Sequence, residues 1–170
     1  MADPQETKPS FRSRMLGRRD AMAPEGRTAL SRAIVRNIVE TSVYRRSDAV
    51  MAYANFGSEL QTDEFVRHVL DQGKTLLLPR VNHQKGWLDV YRVRDPVRDL
   101  RVDPYVVDFV LVPGVAFDAR AGRLGYGGGF YDKLLADGLS ARSWLVAGAF
   151  ENQMVERVPL DEHDIPMTWS

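Results

Sequence analysis

The sequence predicts an α/β fold in which a mostly parallel sheet is flanked by helices. Short apolar segments typical of buried strands alternate along the chain with longer segments of helical periodicity. The length of 170 residues suits one domain with a substantial core, and no internal repeat, low-complexity segment or linker divides it. We therefore predict a flexible N-terminal tail over residues 1–9 and a single domain over residues 10–170.

The N-terminal part of the chain begins with two predicted helices. The apolar side chains of "FRSRMLGRRDAM" can share one helical face, which leaves Arg14, Arg18 and Arg19 as solvated residues. A stronger pattern follows in "APEGRTALSRAIVRNIVET", where a proline and a glutamate suit a first turn. The remaining predicted elements are a strand in "DAVMAYANF", a helix in "TDEFVRHVLDQG", strands in "TLLLPR", "WLDVYRV" and "VVDFVLVPG", a short helix in "FYDKLLADG" and a strand in "SWLVAGAF".

The composition excludes several classes of site. Lys+Arg and Asp+Glu both number 23, so the chain lacks the basic excess typical of nonspecific nucleic-acid binding. There is no cysteine, which excludes disulfides and thiolate chemistry, and the histidines lie far apart without a metal-ligand pattern. No apolar run is long enough to span a membrane, and the first residues resemble neither a signal nor a transit peptide. We expect a cytoplasmic protein without nucleic-acid or membrane partners, and we favour a monomer while an oligomer stays open.

A glycine-rich segment, "RLGYGGGFYDKLL" over residues 123–135, is the strongest candidate for a binding site. Its glycines permit positive φ angles, let a ligand approach the backbone and leave N–H groups free to bind an anion. In α/β sheets, ligands usually bind beyond the carboxyl ends of strands, where this segment is predicted to lie. The segment matches neither the P-loop nor the dinucleotide fingerprint. A phosphate-binding loop of another kind and a flexible surface loop both stay open.

Two charged residues of the segment favour the phosphate interpretation. Arg123 can neutralise a phosphate group, and Asp132 can bind a magnesium ion. Taken alone, each residue also has a simpler explanation, as a surface arginine and as a favourable carboxylate in the first turn of a helix.

Residues 111–135, "LVPGVAFDARAGRLGYGGGFYDKLL", closely resemble the signature of the 5-formyltetrahydrofolate cyclo-ligase family, also called methenyltetrahydrofolate synthetase. A weaker likeness covers most of the chain, including "NFGSELQTDEFV", "GKTLLLPRV" and "AFENQMVERVPLDEHDIPM". The resemblance implies a three-layer α/β fold and a ligase that depends on ATP and Mg²⁺. Such an enzyme closes 5-formyltetrahydrofolate to 5,10-methenyltetrahydrofolate, with ADP and phosphate as the other products, through phosphorylation of the formyl oxygen.

The resemblance also implies a set of site residues. It assigns Lys8, Arg12, Arg123, Gly125, Gly127, Gly128, Gly129 and Tyr131 to ATP, Glu59 and Tyr131 to the reduced folate, and Asp132 and Asp164 to Mg²⁺. Arg123 and Asp132 are the implied catalytic residues.

Four of these residues also have simpler explanations. Pro9 disfavours helical geometry for Lys8, which could instead belong to a disordered basic tail. Glu59 could be an exposed loop acid, Tyr131 an aromatic that packs beneath the short helix, and Asp164 part of an acidic solvated turn.

Two departures from the family concern the folate side of the site. Only a few residues join Leu100 to the strand in "VVDFVLVPG", where family members carry a longer segment that helps to wall the folate pocket. The sequence also stops at "IPMTWS", short of closing strand residues common in the family. A paralogue with another substrate and a non-catalytic protein that binds ATP or folate therefore stay open as alternatives.

Overall fold

Helices and strands alternate in the computed structural model, which describes residues 6–93 and 100–168. The helices are α1 (Lys8–Asp20), α2 (Pro24–Glu40), α3 (Ser42–Arg46), α4 (Asp63–Asp71) and α5 (Phe130–Lys133). The strands are β1 (Ala49–Met51), β2 (Thr75–Asn82), β3 (Trp87–Arg92), β4 (Leu100–Val102), β5 (Phe109–Leu111), β6 (Ala116–Asp118), β7 (Arg123–Leu124), β8 (Trp144–Val146) and β9 (Met154–Val155). Short 3-10 helices cover Pro104–Val106 and Glu151–Gln153, and a π-helical turn, Leu134–Gly138, continues α5. None of the described helices is both long and apolar enough to cross a membrane.

The main sheet has six strands in the order β4-β3-β2-β1-β5-β8. β2, β1, β5 and β8 are parallel neighbours, whereas β3 pairs antiparallel with both β2 and β4. The sheet is therefore mixed, and the predicted parallel arrangement holds only for the β2-β1-β5-β8 part. The reason is local, because residues 83–86 alone connect β2 to β3 and a parallel pair needs a crossover of a dozen or more residues.

Helical segments cover both faces of the main sheet. On one face, α2, α3 and α4 contribute to an apolar cluster that includes Val50 and Leu76. On the other face, Leu134 packs in a cluster that includes Met51 and Leu77. Because neighbouring residues of a strand point to opposite faces, the apolar runs of the strands fill both clusters. The three-layer α/β arrangement implied by the family resemblance is confirmed.

A smaller sheet, in the order β7-β6-β9, packs against α1. Phe11 and Met15 of α1 are buried in one cluster with Ala116 of β6 and Leu124 of β7. α1 therefore lies beside the chain segment that runs through β6 and β7 into the glycine-rich residues 125–129.

The first turn of α1 corrects one expectation. The helix begins at Lys8, inside the segment predicted as a tail, and the Thr7 hydroxyl at its N-cap accepts a hydrogen bond from the N–H of Ser10 at 3.4 Å. The expectation that Pro9 keeps Lys8 out of the helix is wrong. Proline is tolerated in a first turn, because the N–H groups there have no helical partner. The division into a tail and one domain stays a prediction.

The connection between β3 and β5 is described only in part. Residues 94–99 lie outside the described residues, and the shortened segment after Leu100 contains β4 and the 3-10 helix Pro104–Val106. The expected loss of part of the folate wall stays a prediction.

A buried aspartate orders the turn that leads into β7. Asp118 is 2% exposed and accepts hydrogen bonds from the N–H groups of Arg120 and Gly122, both at 2.9 Å, and of Val158 at 2.8 Å. Burial raises the pKa of Asp118, but these hydrogen bonds outweigh it and hold the pKa below its ordinary value. The ionised carboxylate therefore fixes the position of residues 118–122.

We predict that Asp118→Asn destabilises the protein in a pH-dependent way. Asparagine has one acceptor oxygen instead of two, so the free energy of unfolding at pH 7 should fall by roughly 1–3 kcal/mol. Because the folded-state pKa of Asp118 is lowered, this difference is complete above about pH 5 and shrinks as the pH falls through about 4 towards the folded-state pKa. Urea unfolding at steps from pH 7 to pH 3 measures it. A wild-type-to-variant difference that stays constant over that range would contradict the assignment.

Candidate active site

The loop between β7 and α5 has the properties expected of an anion-binding loop. Gly127 and Gly129 have φ angles of 94° and 66°, in the left-handed region that favours glycine. The backbone N–H groups of residues 126–129 donate to no acceptor within the described residues. α5 covers only Phe130–Lys133, so the donors belong to the loop rather than to a long helix with a large dipole. We call residues 125–129 the glycine loop.

Arg123 is buried directly before the glycine loop. It is 3% exposed, its Nη2 donates to Oδ1 of Asp132 at 2.6 Å, and its Nη1 donates to the carbonyl oxygen of Pro113 at 3.1 Å. The surface-arginine explanation is therefore wrong. The Nε–H of Arg123 is buried and has no acceptor within the described part of the chain. An unpaired buried donor on a cation is costly, so a ligand oxygen at this position would be stabilised.

Arg12 of α1 contacts the glycine loop. Its Nε donates to the carbonyl oxygen of Gly125 at 2.8 Å. A Cβ atom at Gly127 would lie 3.3 Å from both Cζ and Nη1 of Arg12, so the guanidinium packs against that glycine. Nη1 and Nη2 of Arg12 donate to no described acceptor, which leaves these groups available to an anion bound on the loop.

Lys8 connects α1 to the acidic turn that contains Asp164. Its Nζ donates to Oδ2 of Asp161 at 2.6 Å and also to Asp164, so Lys8 is not part of a disordered tail. The side chain of Asp164 is 19% exposed whereas that of Asp161 is 68% exposed, so the turn is solvated except at Asp164. Partial burial raises the pKa of Asp164, but hydrogen bonds from Lys8 and from the Asp161 N–H, and the charge of Arg123, hold it below its ordinary value.

Glu59 is held in a buried position. It is 8% exposed, so the explanation as an exposed loop acid is wrong. Its Oε2 accepts a hydrogen bond from the N–H of Phe56 at 2.7 Å, and its Oε1 accepts one from the hydroxyl of Tyr126. Each carboxylate oxygen thus has one protein donor and keeps a further acceptor position for a ligand.

Tyr131 interacts electrostatically with both Glu59 and Arg123. The residue is half-buried and packs against the cluster that contains Leu134, which confirms the packing explanation. Burial and, to a lesser degree, the charge of Glu59 raise the pKa of Tyr131, while the charge of Arg123 opposes them. Its phenol is therefore within electrostatic reach of both residues, and its contact with a ligand stays a prediction.

Arg19 and Tyr126 are two site residues that the sequence analysis missed. Arg19 is 4% exposed and donates to Oγ of Ser58 at 2.9 Å and to the hydroxyl of Tyr126 at 2.8 Å, so the prediction of a solvated Arg19 is wrong. The helical spacing contained the signal, because Phe11, Met15 and Arg19 follow one another at intervals of four and share the buried face of α1.

The described carboxylates of the site are too few to hold a metal ion on their own, but one of them has a free oxygen. Within residues 6–93 and 100–168, no group of three or more His, Cys, Asp or Glu side chains is arranged to hold a metal. Mg²⁺ in phosphoryl-transfer sites is often bound by one or two carboxylates together with substrate phosphates, so such a group is not required. Asp132 uses Oδ1 for Arg123, and its Oδ2 accepts no hydrogen bond from the described residues. Asp132 can therefore offer one oxygen to Mg²⁺.

Comparison with known proteins identifies the family of the chain. The model of the 5-formyltetrahydrofolate cyclo-ligase family matches residues 4–169. The chain belongs to the 5-formyltetrahydrofolate cyclo-ligase family. The resemblance found in residues 111–135 is thereby confirmed and extends over nearly the whole sequence.

Relatives in this family come from bacteria and animals. The 5-formyltetrahydrofolate cyclo-ligase of Escherichia coli (strain K12) is 29% identical over 166 residues, which cover 88% of this chain and 91% of the relative. The cyclo-ligase of Mus musculus is 24% identical over 181 residues, with 93% and 89% covered. The NMR structure of Aquifex aeolicus 5,10-methenyltetrahydrofolate synthetase has a TM-score of 0.80 and 33% identity, and the match covers 94% of this chain and 86% of that one.

We predict that Arg123→Ala lowers the stability of the protein as well as its ligand affinity. The substitution removes hydrogen bonds between a buried cation and both Asp132 and Pro113, so the free energy of unfolding should fall by roughly 1–3 kcal/mol. Arg120→Ala is the matched control, because Arg120 is exposed and should change stability by less than about 0.5 kcal/mol. Urea unfolding of both variants measures the difference. Equal stabilities of the two variants would indicate that the hydrogen bonds of Arg123 do not stabilise the fold.

Proposed function

We propose that this protein is an ATP-dependent 5-formyltetrahydrofolate cyclo-ligase. It converts 5-formyltetrahydrofolate into 5,10-methenyltetrahydrofolate and releases ADP and phosphate. Family membership supports the reaction. The observation that connects the reaction to this site is the buried Arg123, which is paired with Asp132 and carries an unpaired Nε–H directly before the glycine loop.

The reaction needs activation because a formamide is a poor electrophile. The formyl oxygen attacks the γ-phosphorus of ATP, the bond between that phosphorus and the β–γ bridging oxygen breaks, and ADP leaves. N10 then attacks the activated carbon, the carbon–oxygen bond breaks, phosphate leaves and N10 loses its proton. Phosphoryl transfer of this kind requires mainly positioning and charge neutralisation from a protein.

The cationic residues are assigned to the ATP phosphates. Arg123 and Arg12 have guanidinium N–H groups that donate to no described acceptor, and the loop residues 126–129 have unpaired backbone N–H groups. These donors can replace the water that solvates the phosphate oxygens. Lys8 is assigned a weaker role, since its ammonium already binds Asp161 and Asp164.

Asp132 would hold Mg²⁺, which supplies neutralisation of the charge on the transferring phosphoryl group. The uncommitted Oδ2 of Asp132 supports this assignment. Asp164 is the second candidate ligand, because it lies near enough to Arg123 for that charge to lower its pKa.

Glu59 and Tyr131 are assigned to the folate. A carboxylate can accept two parallel hydrogen bonds from an amino-pyrimidinone edge, and both Glu59 oxygens keep an acceptor position. Tyr131 lies within electrostatic reach of both Glu59 and Arg123, as expected for a residue between the two substrates. We also propose that the protein acts in the cytoplasm, as a monomer or an oligomer, and its equal numbers of basic and acidic residues favour the absence of nucleic-acid partners.

We predict that the purified protein forms 5,10-methenyltetrahydrofolate from 5-formyltetrahydrofolate and MgATP, and that Asp132→Asn lowers the turnover by about 100-fold or more. Asparagine keeps the acceptor for Arg123 but loses the charge that favours Mg²⁺, so ATP should still bind. Asp137→Asn, an exposed position in the same helical segment, is the control and should keep wild-type activity. The reaction is followed by the near-ultraviolet absorbance of 5,10-methenyltetrahydrofolate.

Two results of this experiment would change the proposal. A folded, ATP-binding wild type that yields no product would exclude the cyclo-ligase activity. Full activity of Asp132→Asn would leave the activity in place but move the metal to another carboxylate, with Asp164 examined first.

We predict that Gly127→Val weakens ATP binding by about tenfold or more. A β-branched residue is strained at a φ of 94°, and its side chain would meet the guanidinium of Arg12. Gly73→Val is the matched control, because Gly73 has a φ of 68° and nothing near its missing Cβ. Calorimetric titration of ATP into both variants separates loss of the binding site from backbone strain. Normal binding by Gly127→Val would remove the glycine loop from the ATP site.

A further inference from the structure

Tyr126 joins the glycine loop to Glu59 through its hydroxyl. The residue is 46% exposed, yet its hydroxyl donates to Oε1 of Glu59 and accepts a hydrogen bond from Nη1 of Arg19 at 2.8 Å. It stands in the loop between Gly125 and Gly127, the residues that contact Arg12. A single side chain thus connects the loop assigned to ATP with the carboxylate assigned to the folate.

The direction of these hydrogen bonds is determined by chemistry. A guanidinium can only donate, so the Tyr126 oxygen must accept from Arg19. The single phenolic proton is then free to point only to Glu59, which acts as the acceptor. Burial raises the pKa of Tyr126, and its hydrogen bond to Glu59 raises it further, so the hydroxyl stays protonated.

Hydrogen bonds to residues that are distant in the sequence fix the position of Arg19. Its Nε donates to Oγ of Ser58 at 2.9 Å, and its Nη1 also lies 3.4 Å from the carbonyl oxygen of Gly114. The Ser58 hydroxyl donates to Asp20 at the end of α1. The arginine is 4% exposed, so it forms a buried anchor for the Tyr126 hydroxyl.

We infer that Tyr126, oriented by Arg19, is a positioning residue that fixes the Glu59 carboxylate and couples it to the glycine loop. The inference rests on the proposed function. A nucleotide bound on the glycine loop restrains the backbone of Tyr126, and so stabilises the hydrogen bonds that hold Glu59 in the orientation that binds the folate. Because binding free energies are linked reciprocally, the folate strengthens nucleotide binding by the same factor.

The test compares Tyr126→Phe with Tyr105→Phe. The first substitution removes only the hydroxyl that contacts Arg19 and Glu59, and the second removes a hydroxyl from a residue that is 66% exposed in the 3-10 helix Pro104–Val106. Calorimetry measures the Kd of 5-formyltetrahydrofolate with and without the β,γ-imido analogue of ATP and Mg²⁺, and the Kd of the analogue alone. Steady-state kinetics give kcat and KM for each substrate.

We expect Tyr126→Phe to weaken folate binding by about tenfold, the effect of one hydrogen bond to a charged group. The factor by which the ATP analogue strengthens folate binding should fall towards one, while the Kd of the analogue alone stays at the wild-type value. The KM for the folate should rise more than kcat falls. Tyr105→Phe should match the wild type in every measurement.

A second pair of variants tests whether Arg19 orients the Tyr126 hydroxyl. Arg19→Met should reproduce the loss of folate affinity, whereas Arg18→Met, at the exposed neighbouring position, should not. Thermal unfolding of each variant confirms that the comparison is made on folded protein.

Two results would overturn the inference. One is a Tyr126→Phe variant that matches Tyr105→Phe in folate affinity and in coupling. The other is a variant in which the ATP analogue alone loses as much affinity as the folate, because that indicates a general distortion of the loop. A wild type that binds 5-formyltetrahydrofolate but does not turn it over would refute the proposed function alone, and the binding data would still decide the role of Tyr126.

Discussion

The buried guanidinium of Arg123 holds together the two chain segments that flank the glycine loop. It connects the end of β5, through the carbonyl of Pro113, with α5, through Asp132. The turn immediately before Arg123 is held by hydrogen bonds to the carboxylate of Asp118, so the backbone position of the arginine is fixed. A buried cation with an unpaired donor is costly, and the Nε–H of Arg123 is such a donor, which supports our proposal that this arginine binds a phosphate oxygen.

The α/β class and the order of the elements could be predicted because they depend on local patterns. Apolar runs such as the one through Leu76 and Leu77 fill both faces of a sheet and are visible without knowledge of any partner. The direction of β3 is the exception, since it follows from the short connection over residues 83–86 rather than from the strand sequence. Lys8 departs from the expectation because Pro9 occupies the first turn of α1, where proline is compatible with a helix.

The glycine loop and its neighbours Arg123 and Asp132 were found from a contiguous motif, whereas the burial of Glu59 depends on distant partners. Tyr126, which holds one oxygen of Glu59, is 67 positions away along the chain, so no local pattern could indicate the contact. The burial of Arg19 was not predicted for another reason. Its spacing from Phe11 and Met15 places it on the buried face of α1, but the charge of an arginine favours a solvated position. A charged residue on an apolar helical face is a signal for a buried partner, here Ser58 and Tyr126.

We propose that the protein transfers the γ-phosphoryl group of ATP to the formyl oxygen of the folate, at the site formed by the glycine loop and Arg123. The most direct measurement uses 5-formyltetrahydrofolate labelled with ¹⁸O in the formyl group, incubated with the protein and MgATP in unlabelled water, followed by mass analysis of the inorganic phosphate. Because the carbon–oxygen bond breaks only after the oxygen is phosphorylated, we expect one ¹⁸O atom in each phosphate released. Phosphate without the label, formed together with the methenyl product, would contradict this account.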